Sequence, residues 1–117
     1  MNQPAREPGR GEVWQVRFGP VTGREQDGIR PAVIISVDSF NAGPAGLVVV
    51  IPMTSRDKRI AENVFVPRGE AGLDLDSYVK VEDIRSISKL RLLRYRGDLT
   101  YPRMEQIEEV LEALLGL

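Results

Sequence analysis

A chain of 117 residues with 42% apolar side chains is the size of one compact domain, and it carries 16 basic against 17 acidic residues for a net charge of −1. Cysteine and histidine are both absent, which excludes a disulfide framework and a thiolate or imidazole metal site, and removes the commonest proton carrier at neutral pH. The balanced charge argues against a protein that coats nucleic acid through bulk electrostatics, although local patches remain open.

Residues 1–10 carry two prolines and no apolar periodicity, which predicts a flexible N-terminal arm ahead of one domain spanning residues 11–117. Between Glu12 and Phe18 the chain alternates. Trp14, Val16 and Phe18 share one face and Val13, Gln15 and Arg17 the other, the pattern of a half-buried strand. The stretch from Gly19 to Ile29 is polar and rich in turn dipeptides, a long loop of the kind that carries function in small domains.

Pro31 to Val37 is short and β-branched, a central strand buried on both faces. Leu47 to Ile51 reads as its partner, ended by Pro52 because proline cannot donate to a ladder. Asn63 to Val66, Ser77 to Val81 and Arg91 to Tyr95 are three further short strands, which together predict a mainly β domain, a barrel or strongly coiled sheet. The period then changes. Met104, Ile107, Val110, Leu111 and Leu114 follow helical spacing with glutamates opposite, Thr100 standing as N-cap and Pro102 in the first turn. The longest apolar run, Leu47 to Met53, is far short of a membrane span, and no leader-like stretch opens the chain. A cytoplasmic protein with no membrane partner is expected.

No catalytic triad or phosphate loop is present, so the informative feature is an arrangement. Arg24, Glu25, Gln26, Asp27 and Arg30 precede one buried strand, and Thr54, Ser55 and Arg56 follow the other. If the two pair antiparallel, both clusters share one edge of the sheet and Arg30 neighbours Thr54. A guanidinium beside a hydroxyl can bind a phosphodiester. The alternative is structural: Arg30 pairing with Glu25 or Asp27, and Thr54 bonding a strand-end carbonyl. A second concentration, Arg85, Lys89, Arg91, Arg94, Arg96 and Arg103, has only Asp98 as a close countercharge in sequence, which fits either an anionic groove partner or a solvated strand. Trp14, Phe18 and Phe40 could stack bases, but Trp14 and Phe18 lie on the alternating apolar face and read as core.

These pieces together resemble the MazF/PemK toxin family, the ribonuclease half of bacterial toxin–antitoxin pairs. The resemblance rests on Gly11-Glu-Val-Trp-Gln-Val, on Gly23-Arg-Glu-Gln-Asp-Gly-Ile-Arg-Pro-Ala-Val-Ile-Ile-Ser36, on Ile51-Pro-Met-Thr-Ser55, and on the stretch from Ser77 to Leu92, in that order along the chain. It implies an SH3-like curved barrel or sheet with short helices and a C-terminal amphipathic helix, forming a homodimer whose interface shapes an RNA groove. It also implies an endoribonuclease that cuts single-stranded RNA without a metal or other cofactor, leaving a 2′,3′-cyclic phosphate and a 5′-hydroxyl. On that resemblance Arg30, Thr54 and Glu25 are the catalytic residues, and Gln26, Ser55, Arg56, Glu82, Asp83 and Arg85 are the RNA contacts. The expected partners are the RNA and a MazE-like antitoxin whose acidic segment fills the same groove. The chain departs from many relatives at Glu82-Asp83, where an acidic residue is usually followed by glutamine; here an amide donor becomes a pure acceptor. Relatives that use a catalytic His are no model for a chain without one. Two other outcomes of the same fold are a CcdB-like toxin that binds DNA gyrase and a member without activity.

Overall fold

A computed structural model describes residues 6–19 and 28–117. The described residues form seven strands and two α-helices: β1 (Glu12–Arg17), β2 (Ile29–Ile34), α1 (Asp38–Asn41), β3 (Leu47–Thr54), β4 (Asn63–Val66), β5 (Ser77–Lys80), β6 (Arg85–Ser88), β7 (Leu92–Asp98) and α2 (Tyr101–Leu115). Every strand pairing is antiparallel, in the order β4-β5-β3-β2-β1-β7, with β6 also on β3. The expected mainly β architecture with a terminal helix is therefore present. The sheet stays open, however, with β4 and β7 at its two ends.

β3 organises the sheet. One edge pairs with β2 through Val50, Ile51 and Pro52; the other pairs first with β6, from Leu47 to Val50, and then with β5, at Met53 and Thr54. Pro52 does not end this strand, contrary to the sequence expectation. It falls where the second edge has released β6 and not yet met β5, so the strand passes through it to Thr54. β2 likewise begins earlier than expected, at Ile29, because Arg30 and Pro31 pair with Val16 and Gln15 of β1. β7 runs from Leu92 to Asp98, three residues beyond the predicted end.

β1, β2 and β3 are buried on both faces, which is why their sequences are so apolar. Val13, Val33, Ile51 and Met53 face Met104 and Ile107 of α2, while Trp14, Val16, Ala32, Ile34 and Val50 pack with Ile87 and Leu92 on the other side. Thr100 caps α2 as expected, its hydroxyl accepting the Arg103 N–H at 3.3 Å, and Gly116 ends it in the left-handed conformation. Leu114, assigned by spacing to the buried face, is 41% exposed. Among the described residues, no helix is long and apolar enough to cross a membrane.

Residues 6–10 fall inside the segment expected to be a free arm, yet they lie against the body. The Arg6 guanidinium meets Glu12 at 2.6 Å and covers the Tyr95 ring, Glu7 pairs with Lys89, and Arg10 pairs with Glu108. Fully buried Asn41 secures the same region, its amide donating to the carbonyls of Pro8 and Ser36.

Candidate active site

Arg30 is the second residue of β2 and Thr54 the last of β3. Their strands pair with Ala32 opposite Pro52 and Val33 opposite Ile51, so the same register carried one pleat further sets Arg30 opposite Thr54. Residues opposite one another in an antiparallel pair share a face. Both are half-buried, at the margin of the apolar cluster that contains Val16, Ala32 and Val50.

The Thr54 hydroxyl oxygen accepts the Arg56 N–H at 3.1 Å. Among the described residues its own proton meets no acceptor and can be donated, the polarity needed to hold a phosphate oxygen. Exposed Ser55 and Arg56 follow, and Ser55 lines a cleft of about 570 Å³ with Arg68, Leu75 and Asp76. Glu25 and Gln26 lie outside the described residues, as do Arg24 and Asp27. Next to them, the Phe18 N–H donates to the Gly28 carbonyl at 2.8 Å, which ties the end of β1 to the start of β2 two residues before Arg30.

The segment from Ser77 to Ser88 approaches the same edge in two steps. β5 and β6 lie along one side of β3, broken by a single 3₁₀ turn at Val81–Asp83. Exposed Glu82 accepts from the Asn63 amide at 2.8 Å, and Asp83 meets Arg85 at 2.8 Å and Lys80 at 3.5 Å. The Arg85 guanidinium reaches back over the Phe18 ring, 4.9 Å from its centroid. This contact links the stretch from Ser77 to Leu92 to Phe18, just after β1. Phe18 packs partly against the core and Trp14 is buried, as their shared face implied, whereas Phe40 sits on α1 beyond the far end of β2.

The basic concentration between Arg85 and Arg103 is not an open groove. Its counterions come from elsewhere in the chain: Glu7 for Lys89, Asp74 for Arg96 and Glu70 for Arg103, with Asp83 for Arg85. Arg91 donates to the Arg17 carbonyl. Carboxylates with displaced titration serve this scaffolding. Burial pushes Glu12 up, but Arg6, the Gly9 N–H and the Trp14 indole outweigh it and hold the carboxyl below its ordinary range. Glu70 is lowered in the same way, its burial overcome by Arg103 and Thr100. Among the described residues, no three acidic side chains gather to hold a metal ion.

The family model for PemK-like, MazF-like toxins of type II toxin–antitoxin systems matches residues 9–115. The chain belongs to this family. It is 36% identical over 113 residues to endoribonuclease MazF9 of Mycobacterium tuberculosis, covering 92% of this chain and 96% of that protein. It is 34% identical to endoribonuclease MazF of Staphylococcus saprophyticus, covering 92% and 91%. Among solved structures, MazF of Deinococcus radiodurans superposes with a TM-score of 0.80 at 28% identity, covering 96% of this chain and 99% of the other. A mycobacterial endoribonuclease in complex with its cognate antitoxin superposes with a TM-score of 0.75 at 26% identity, covering 95% of each chain.

The register also brings in residues to which the sequence reading gave no role. It continues from Thr54 to Tyr78 on β5 and from Tyr78 to Phe65 on β4. The signal was present in the alternation, since Val64 and Val66 point inward around Phe65, and Ser77 and Val79 around Tyr78.

Proposed function

We propose that this MazF-family endoribonuclease toxin cuts single-stranded RNA at a site centred on Arg30 and Thr54. The observation that carries the assignment is the β2–β3 register, which, carried two residues past Ala32 and Pro52, sets Arg30 and Thr54 opposite one another on one face of the sheet. The substrate's 2′-oxygen attacks the adjacent phosphorus, a bond forms between them, and the bond to the 5′-oxygen breaks. The leaving 5′-oxygen takes a proton from solvent, so that a 2′,3′-cyclic phosphate and a 5′-hydroxyl result. Arg30 neutralises the charge that builds on the phosphoryl oxygens, the task for which a permanently charged planar guanidinium is suited. Thr54 donates its hydroxyl proton to one of those oxygens. Glu25 takes the proton of the 2′-hydroxyl or orients Arg30.

Gln26, Ser55, Arg56, Glu82, Asp83 and Arg85 contact the splayed bases on either side. With Glu82 and Asp83 as acceptors, the base they meet presents an exocyclic amine. The protein acts as a cytoplasmic homodimer whose interface shapes the groove, and an antitoxin with an acidic segment occupies that groove in competition with RNA. The solved complex of a mycobacterial relative with its cognate antitoxin supports an antitoxin partner.

The test is incubation with long mixed-sequence single-stranded RNA in EDTA, wild type beside Arg30→Ala and Thr54→Ala, with fragment ends mapped. Discrete cuts with cyclic-phosphate ends in the wild type alone are expected. Cleavage that persists in Arg30→Ala would overturn the assignment, and failure to cut any RNA, together with inhibition of DNA gyrase, would replace it with the binding toxin.

A further inference from the structure

One row of side chains crosses the sheet beside the reacting phosphate. Val16 stands opposite Arg30 on β1 and β2, and Thr54, Tyr78 and Phe65 stand opposite one another on β3, β5 and β4; the β2–β3 register carried two residues past Ala32 and Pro52 joins the two sets on one face. Neighbouring strands are separated by about 4.8 Å, which sets Tyr78 about 5 Å and Phe65 about 10 Å from the Thr54 backbone along the row. Phe65 is 44% exposed on an end strand of the sheet, while Val64 and Val66 beside it supply that strand's core contacts. The rings of Phe65 and Tyr78 are 5.5 Å apart and inclined at 51°. They brace one another by edge and face, without consuming both faces in mutual stacking. Lys80 and Asn63 occupy the next positions of the same face, opposite one another.

We propose that Phe65 and Tyr78 are a stacking platform for a nucleobase of the RNA, one or two nucleotides from the scissile phosphate. The inference rests on the assignment of Arg30 and Thr54 as the phosphate site. A single strand that places a phosphate between those two residues and continues along the row lays its next bases over the two rings. Base–aromatic stacking tolerates every base, because each has a π-face. The platform therefore contributes affinity and fixes the path of the strand, while the polar loops read its sequence.

The experiment uses the RNA that the wild type cuts, made resistant by 2′-deoxy substitution at the scissile nucleotide, with 2-aminopurine placed at one flanking position at a time. Wild-type protein should quench the probe strongly at one or two adjacent positions. Phe65→Leu and Tyr78→Leu should lose that quenching and bind about ten- to hundred-fold more weakly, with the cleavage rate at saturating RNA retained, and Phe65→Trp should restore both. An abasic unit at the quenched position should bring wild type and Phe65→Leu to equal affinity. Equal quenching by wild type and Phe65→Leu at every position overturns the platform, as does a Phe65→Leu protein whose only change is its dimer–monomer equilibrium. Wild type that cuts RNA while the platform variants bind normally refutes this inference alone, whereas wild type that cuts no RNA refutes the phosphate site beneath it.

Discussion

Glu12 offers a sharp test of how the start of the sheet is held. One carboxylate oxygen accepts the Gly9 N–H at 2.9 Å and the Trp14 indole N–H at 3.0 Å, and the other meets Arg6 at 2.6 Å. Glu12→Ala leaves the indole of a 2%-exposed tryptophan without an acceptor, a loss of about 1–3 kcal/mol, and removes the Gly9 bond, about 1 kcal/mol more. We expect a total near 3 kcal/mol. In urea, where unfolding of a small domain has a slope of about 1–3 kcal/mol/M, the midpoint should fall by roughly 1.5 M at fixed protein concentration. Glu12→Gln keeps an acceptor for both N–H groups and should lose much less. Trp14 is the only tryptophan, so its fluorescence reports both the unfolding and the state of the indole bond. The acid dependence gives a second check. A carboxylate whose folded value lies below its unfolded value of about 4.3 stabilises above that value, and stops doing so as pH falls through the folded one. Wild type and Glu12→Gln should therefore draw together as pH falls below the ordinary carboxylate range. Equal destabilisation by Ala and Gln, or a gap between wild type and Gln that does not narrow as the medium is acidified, would refute the account.

Arg30→Lys keeps the charge but loses the planar fork, and cleavage should fall about tenfold or more, with Arg30→Ala falling further still. Thr54→Val should slow single-turnover cleavage by about ten- to hundred-fold while Thr54→Ser retains most of it, since only the hydroxyl donates to the phosphate. Gly28→Ala should destabilise by more than about 2 kcal/mol in denaturant melts, because φ is +59° there and a Cβ would overlap the Gly19 carbonyl oxygen. Glu70→Gln should weaken the fold at neutral pH and match wild type in acid, the same sign as for Glu12, because its carboxyl is also held below the ordinary range.

The elements that sequence made legible are those whose burial is local and periodic. α2 announces itself through Met104 and Ile107 at helical spacing and Thr100 at its cap, and β1 through Trp14 and Val16. β6 went unread because only Ile87 of its four residues is buried, too little for a period. Its place is set by β3, which recruits it across Leu47 to Val50. Pro52 misled for a related reason: whether a missing N–H matters depends on which neighbour lies on that side, and sequence does not show it. The counterions of the basic segment lie 22 to 82 residues away for Arg96, Arg103 and Lys89, beyond any local reading of charge. Arg30 and Thr54 could be anticipated because antiparallel pairing of two adjacent strands is a short-range inference. The row that continues to Tyr78 and Phe65 needs two further registers, each set by burial of Val79, Val64 and Val66.

β1 is held between β2, which follows it closely in the chain, and β7, whose paired residues lie about eighty positions later. During synthesis at about 5–20 residues per second, that separation is an interval of roughly 4–16 seconds in which one edge of β1 has no strand beside it. The half of the sheet that bears Arg30 and Thr54 leaves the ribosome within this interval, ahead of both β7 and the helix whose Met104 and Ile107 complete the packing beneath β3. A ribonuclease that could damage the messenger from which it is being read thus gains its end strand and its terminal helix only after the strands that bear Arg30 and Thr54, and chains released before residue 92 lack both.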